Sequence, residues 1–479
     1  MKVLFASGEA APFFKTGGLG DVAYALPKEL LKQGIDVRVV LPNYSQMPAK
    51  YKEQLSELRH FRFQLGYKNV YCGIKTLELE GLTYYFIDNL SYFDRSSLYG
   101  QWDDGERFAY FSTAIIEMLE VIEWIPDIIH CNDWHTAMVP VLLVDRYHWK
   151  DALKGIRKVY TIHNIQFQGI YSPEMLTNVF GTSFNTFTDD GIKYYDNINY
   201  MKGGINFSDR VTTVSPTYAN EITTPAFGEG LEGTLQHNYW KLSGIINGID
   251  YTINDPETDP MIPHHFSQKS MVGKVENKLA LQKDLGLPID RNVAMIGMVS
   301  RLTNQKGFQL VEERMEELLQ ANVQVVLLGT GQANFENSFR YFESKYPDKM
   351  RSIINFDVAL AQRIYASSDM FLMPSAFEPC GLSQMISMRY GTLPIVHEIG
   401  GLADTVEPYN VDTGSGTGFS FYDFDSWVML QTIYRALDVY YNHPEAWHNL
   451  VKNAMEKDFS WEEPAKKYIA LYQELIDER

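Results

Sequence analysis

A chain of 479 residues is too long for one hydrophobic core, and a formal charge of −18 argues against nucleic acid or an anionic membrane as its main partner. Its 45% hydrophobic and 21% charged residues are those of an ordinary globular protein, and no apolar run reaches membrane-spanning length. Cys72, Cys131 and Cys380 are too few and too scattered for a disulfide framework or a zinc site, which points to a reducing compartment.

The chain opens directly into an apolar run, residues 2–6, so no signal or transit peptide is expected and a cytoplasmic location is. A small-residue loop from Ser7 to Gly20 leads into a predicted helix over 22–33, closed by Gly34, and then a strand over 36–41 ended by Pro42. Strand, glycine loop, helix and strand in this order form a right-handed parallel crossover. The loop, Lys15-Thr16-Gly17-Gly18-Leu19-Gly20-Asp21-Val22, is neither a dinucleotide fingerprint nor a Walker motif. Its glycines let backbone amides approach a ligand, Lys15 reaches toward a phosphate, and Asp21 is placed to cap the helix.

Residues 69–88 alternate about a Glu80-Gly81 turn, as a hairpin does. Tyr92, Phe93, Tyr99 and Trp102 then crowd a polar loop, where they either stack on sugar rings or pack beneath their own segment. A helix over 106–123 precedes a strand over 127–131, and further strands end at His163-Asn164 and Ser215. These tips place Asp133, His163 and Asn164 on the edge that carries the glycine loop. His130 and His135 lack ligand spacing with His163, so no metal site is expected, and a strand-end histidine also reads as a structural one.

Periodicity lapses at 244–250 and the Asp/Pro-rich stretch after it marks a domain junction. The expected division is 1–243, completed by a returning C-terminal helix over 458–479, and 244–457. The second part repeats the alternation, with a helix at 274–285 and strands at 293–299, 324–328, 352–356, 370–373 and 393–397. Helices at 427–440, 444–456 and 461–476 end the chain. The fold class is α/β: two Rossmann-like doubly wound domains whose carboxyl edges face a central cleft.

The chemistry concentrates in two stretches of that second part, Ser300-Arg301-Leu302-Thr303-Asn304-Gln305-Lys306-Gly307 and Phe377-Glu378-Pro379-Cys380-Gly381. Each joins a strand to a helix, so Arg301 leaves a strand tip and Lys306 stands at a helix mouth, an arrangement suited to a diphosphate. Glu378 beside such a site needs another partner, and sugar hydroxyls, which donate to carboxylate oxygens, supply one. Singly, these residues also read as solvated cations and a helix cap. Cys380 is either a thiolate-prone helix-mouth residue or a small packing residue.

Together with Asn132-Asp133-Trp134-His135 and Ile246-Asn247-Gly248-Ile249-Asp250, these motifs resemble, in order and in register, the bacterial glycogen synthases and plastid starch synthases. The resemblance implies a GT-B fold and retaining transfer of glucose from ADP-glucose to the non-reducing 4-hydroxyl of an α-1,4-glucan, glycogen or maltooligosaccharide, with no cofactor and no metal. It implies a catalytic set of Glu378, Arg301, Lys306 and His163. By the same likeness Lys15, the amides near Gly17 and Gly18, and Asp21 serve the donor; Cys380, Gly381 and Leu382 adjoin the glucosyl group. Asn247 contacts the sugar, and Asp133 lines the acceptor side. Phe356 stands where relatives place a tyrosine against adenine, and Ile399 precedes Gly400-Gly401 where a threonine is common. An oligomer is compatible with the sequence. The alternatives are a glucan phosphorylase, which needs a pyridoxal-bearing lysine, a non-catalytic glucan binder, which needs no diphosphate cations, and an oxidoreductase, which lacks its fingerprint here. The residues leave the base of the donor open, adenine or uracil.

Overall fold

The structure is a computed structural model that describes residues 1–478. The chain divides into two compact units, Met1–Asn247 with the segment from Trp461 onward, and Gly248–Ser460.

The first unit is built on a nine-stranded sheet. In spatial order its strands are Leu242–Gly244, Arg210–Thr213, Arg157–Ile162, Ile128–Asn132, Lys2–Ala6, Asp36–Pro42, Leu82–Asp88, Lys68–Leu79 and Ser56–Leu65. The first seven run parallel and the last two turn antiparallel. Parallel strands covered on both faces read as unbroken apolar runs, and Val3, Leu4, Phe5 and Ala6 are each 0% exposed. The hairpin turns at Glu80 and Gly81, both at positive φ (52° and 80°), the geometry that matches strand twist in a two-residue turn. The last helix, Glu462–Asp477, buries Ala465, Tyr468, Tyr472 and Leu475 in this unit's core. There Tyr472 Oη meets His130 Nδ1 at 2.5 Å while His130 Nε2 meets Thr161 Oγ1 at 2.6 Å. His130 is thus a satisfied core histidine, and burial holds its pKa down at about 3.

The second unit carries a six-stranded, wholly parallel sheet in the order Met350–Ile353, Val323–Leu328, Ala294–Val299, Met370–Met373, Leu393–His397, Phe419–Phe421. Numbered by sequence this is 3-2-1-4-5-6, the doubly wound order. The strands expected at 370–373 and 393–397 lie at those positions.

Three features depart from expectation. The strand sought at 352–356 is Met350–Ile353, because its partner strand ends at Leu328, opposite Ile353, and nothing is left for later residues to pair with. The antiparallel edge strand Ser56–Leu65 was not anticipated; a register shift between Glu57 and Arg59 breaks the two-residue alternation that would reveal it. Asp21 does not cap its helix. The helix runs Gly18–Lys32 with Gly17 at the N-cap, so Asp21 sits inside the first turn.

Candidate active site

A doubly wound sheet opens a crevice where its strand order reverses, since loops on either side of that point leave for opposite faces. In the first unit the reversal falls between Lys2–Ala6 and Ile128–Asn132, in the second between Ala294–Val299 and Met370–Met373. The loops that follow these four strands contain most of the residues singled out above.

In the first unit the organising group is one the sequence reading passed over, Glu9, which is 1% exposed. Its Oε1 accepts from the amides of Gly17 (3.2 Å) and Gly20 (3.1 Å). Its Oε2 accepts from Thr16 N (3.2 Å), Thr16 Oγ1 (2.7 Å) and Tyr99 Oη (2.9 Å). A carboxylate eight residues upstream in the same loop therefore caps the helix that Gly17 leaves without a side-chain cap. Gly17's amide is committed to Glu9, while Gly18's forms no hydrogen bond among the described residues. A Cβ on either glycine would meet nothing within 4 Å, so both face open space. Lys15 Nζ lies 2.8 Å from Asp21 Oδ1, with both side chains about 40% exposed (42% and 40%).

At the neighbouring strand tip Asp133 adopts φ 56°, ψ −173°, a strained conformation for a residue with a Cβ and one that clusters at functional sites. Its Oδ1 accepts from His163 N at 2.7 Å and Asn164 N at 3.4 Å, tying two strand tips together. Burial outweighs those amide bonds and lifts its carboxyl to about 7, with Glu9 adding to the rise. His163 Nε2 lies 2.8 Å from Asn132 Oδ1. The amide oxygen only accepts, so Nε2 carries the proton and Nδ1 keeps its lone pair. Burial depresses His163 to about 3, so the ring is neutral. Asn247 is 6% exposed, and its Oδ1 has no partner among the described residues.

The aromatic cluster separates by role. Tyr92 and Phe93 are buried, and Tyr99 stacks on His135 at 4.4 Å, so these three pack under their own loop. Trp102 is 92% exposed.

In the second unit the two crossovers touch. Ala376 N donates to Gln305 O at 2.8 Å, and Gly307 adopts φ 79° where a Cβ would come within 1.9 Å of Pro374 O. Across this contact Lys306 Nζ reaches Glu378 Oε2 at 2.8 Å and Oε1 at 3.1 Å. Ser375 Oγ donates to Glu378 Oε2 at 2.9 Å. Glu378 is 5% exposed and is no helix cap; the next helix, Ser383–Arg389, has Leu382 at its N-cap. Cys380 is buried upstream of that helix, and Gly401 packs against its backbone, where a Cβ would lie 2.1 Å from Cys380 O. Gly401 N donates to Glu378 O at 3.0 Å. Gly381 takes φ 78°. Arg301 is exposed and its guanidinium forms no hydrogen bond or ion pair among the described residues. Phe356 lies beyond the end of Met350–Ile353, the edge strand of the second sheet, and is 79% exposed.

Residues 2–237 match the family described as starch synthase catalytic domain, and residues 283–456 match glycosyl transferases group 1. The glycogen synthase of Ligilactobacillus salivarius is 56% identical over 477 residues, covering 99% of this chain and 100% of its own. That of Streptococcus agalactiae is 53% identical over 475 residues, with the same coverage of 99% and 100%. Among solved structures, the catalytic domain of starch synthase IV from Arabidopsis thaliana bound to ADP and acarbose is similar with a TM-score of 0.92 and 38% identity, covering 99% of each chain. With such likeness along its whole length, the chain belongs to the glycogen synthase and starch synthase family and has that family's two-domain GT-B fold.

Proposed function

We propose that the protein transfers glucose from ADP-glucose to the non-reducing 4-hydroxyl of an α-1,4-glucan, releasing ADP, with retention at the anomeric carbon and no need of a metal. The observation that carries this reading is the Lys306–Glu378 pair at the second unit's reversal point, close in sequence to the unpartnered Arg301. An ammonium has three donors, and Glu378 occupies two of them, leaving one for a phosphate oxygen. A carboxylate offers about four acceptor positions, and Lys306 and Ser375 fill three, leaving one for a sugar hydroxyl. Lys306 thereby adjoins both the diphosphate and the glucosyl unit.

As the bond from C1 to the β-phosphate oxygen breaks, negative charge grows on that oxygen. Arg301 and Lys306 stabilise it as fixed cations, which is why no divalent ion is required. On the first unit, Lys15 and the open Gly18 amide are the groups suited to an anion, with Gly17 and Asp21 fixing the loop and the lysine. The acceptor O4 bonds to C1 on the face that ADP leaves, and its proton passes to the departing phosphate oxygen. Glu378 as a covalent nucleophile is disfavoured, because Lys306 neutralises it and both its oxygens are engaged. A glucosyl adduct on Glu378 in mass spectrometry would overturn the front-face account.

His163 and Asn247 bind the sugar and Asp133 the acceptor side, with the neutral His163 Nδ1 and the orphan Asn247 Oδ1 as acceptors for hydroxyls. Phe356 offers adenine an exposed ring face, and Cys380, Gly381 and Leu382 present backbone beside the glucosyl group. We place the reaction in the cytoplasm, which suits cysteines that form no disulfide. No helix among the described residues is long and apolar enough to cross a membrane.

The test is incubation with labelled ADP-glucose or UDP-glucose plus glycogen in the presence of a chelator. Glucose incorporated from ADP-glucose is the expected result. Incorporation from UDP-glucose alone would correct the donor. No incorporation from either would favour a glucan-binding protein, and glucose 1-phosphate release with a pyridoxal absorbance would indicate a phosphorylase.

A further inference from the structure

The three strands Arg157–Ile162, Arg210–Thr213 and Leu242–Gly244 are adjacent and parallel, and their carboxyl ends lead to His163, Ser215 and Asn247. Their amino ends form something else. Arg157, Lys158 and Arg210 begin two of the strands, Lys241 immediately precedes the third, and all four line a cavity of about 490 Å³. The six-residue strand Arg157–Ile162 puts roughly 20 Å between this edge and the one described above.

Such a concentration of cations stands out in a chain of net charge −18. Two carboxylates share the cavity: Asp209, 3.1 Å from Lys158 Nζ, and Glu478, paired with Arg210. Among the described residues, four cations less two carboxylates leave two positive charges. Arg157 has no carboxylate partner among the described residues and donates to Glu478 O at 3.0 Å. Lys241 is 5% exposed and, among the described residues, gives its ammonium only to carbonyls, Ser208 O at 2.7 Å and Asn206 O at 3.1 Å. Ser208 also lines the cavity; it is 4% exposed, and its Oγ is buried without a hydrogen-bond partner among the described residues. At the rim Trp240 is 74% exposed and offers a flat apolar face.

We propose that this cavity is a second ligand site, taking a phosphate monoester whose ring lies against Trp240. Two uncompensated cations match the dianion, the Arg157 guanidinium donates to its oxygens, and the indole takes the organic part. The test is calorimetric titration of the full chain with phenyl phosphate and with inorganic phosphate, in wild type, Arg157→Gln and Trp240→Ala. Circular dichroism checks that each variant is folded, and the exposed Trp240 makes that variant safe on this count. Phenyl phosphate should bind saturably, about tenfold more weakly in Arg157→Gln and about threefold more weakly in Trp240→Ala, while inorganic phosphate should not respond to the tryptophan. No saturable binding to wild type, or binding unchanged in Arg157→Gln, would overturn the site. Equal affinities for the two probes would overturn its assignment to an ester.

Discussion

Replacing Glu9 by glutamine isolates the device that shapes the first unit's glycine loop. The best pose puts the new amide nitrogen at the Oε2 position, where the hydroxyls of Thr16 and Tyr99 turn to accept from it. Thr16 N, which now donates to Oε2 at 3.2 Å, is then left facing a donor, at a cost of about 1–3 kcal/mol. The bonds from Gly17 N and Gly20 N survive but fall from charge-assisted to neutral, about 1 kcal/mol each, while relief from burying a charge returns part of the sum. The balance is about 3 kcal/mol of lost stability, or roughly 6–10 °C in the first unit's melting transition. Scanning calorimetry reads that shift, and hydrogen exchange should show the amides of Thr16, Gly17 and Gly20 opening selectively. A variant that melts with wild type and keeps those amides protected would refute the claim that Glu9 caps this helix.

Asp133→Asn keeps the oxygen that accepts from His163 and Asn164 but removes a carboxyl raised from 3.8 to about 7. The folded state holds that proton longer than the unfolded chain, so wild type loses stability as pH climbs from about 4 to about 7, by at most about 4 kcal/mol. The variant's advantage in melting temperature should therefore grow across that window and level off above it; a constant difference would contradict the burial argument. Lys306→Ala and Arg301→Ala should each lower turnover about a hundredfold or more, the scale of one lost transition-state charge contact, and wild-type rates in either would count against the proposed chemistry. Gly307→Ala asks a Cβ to sit 1.9 Å from Pro374 O at φ 79° and should destabilise the second unit by about 3 kcal/mol or more; a melting curve like wild type's would show the crossovers are not in contact.

Sequence reasoning located the second unit's chemistry more fully than the first unit's, for a physical reason. Lys306 and Glu378 advertise themselves as charges after apolar strands, and doubly wound topology brings such tips together whatever the distance in sequence. Glu9 also follows a strand, yet its meaning depends on Thr16, Gly17 and Gly20 folding back over it and on Tyr99 arriving from far along the chain. The available signal was an acidic residue ahead of a run of amides with no side-chain cap of its own. Because Glu9 supplies the cap, the helix starts at Gly18 and absorbs two glycines that propensity alone would leave outside it, and that displaced Asp21 from the expected role. The bulged edge strand at Ser56–Leu65 and the truncated strand before Phe356 were hidden similarly, one by a broken alternation and the other by where its neighbour stops.

The two reversal points also differ in how they hold charge, and this decides what a substitution at each can report. In the first unit, apart from the exposed Lys15–Asp21 pair, three ionisable groups are buried and answered by dipoles: Glu9 by amides and hydroxyls, Asp133 by amides, His163 by the Asn132 side chain. Fixed dipoles around a buried group are part of the packing, so alterations there reach stability before they reach rate. In the second unit Lys306 keeps one donor unspent and Arg301 keeps its whole guanidinium, and an unspent donor stabilises nothing in the resting protein. Its free energy is available only when a new anion arrives. Arg301→Ala should therefore leave the melting temperature near wild type while turnover falls, the converse of Glu9→Gln, and a loss of stability in Arg301→Ala as large as that in Glu9→Gln would mean that the arginine serves the fold instead of the ligand.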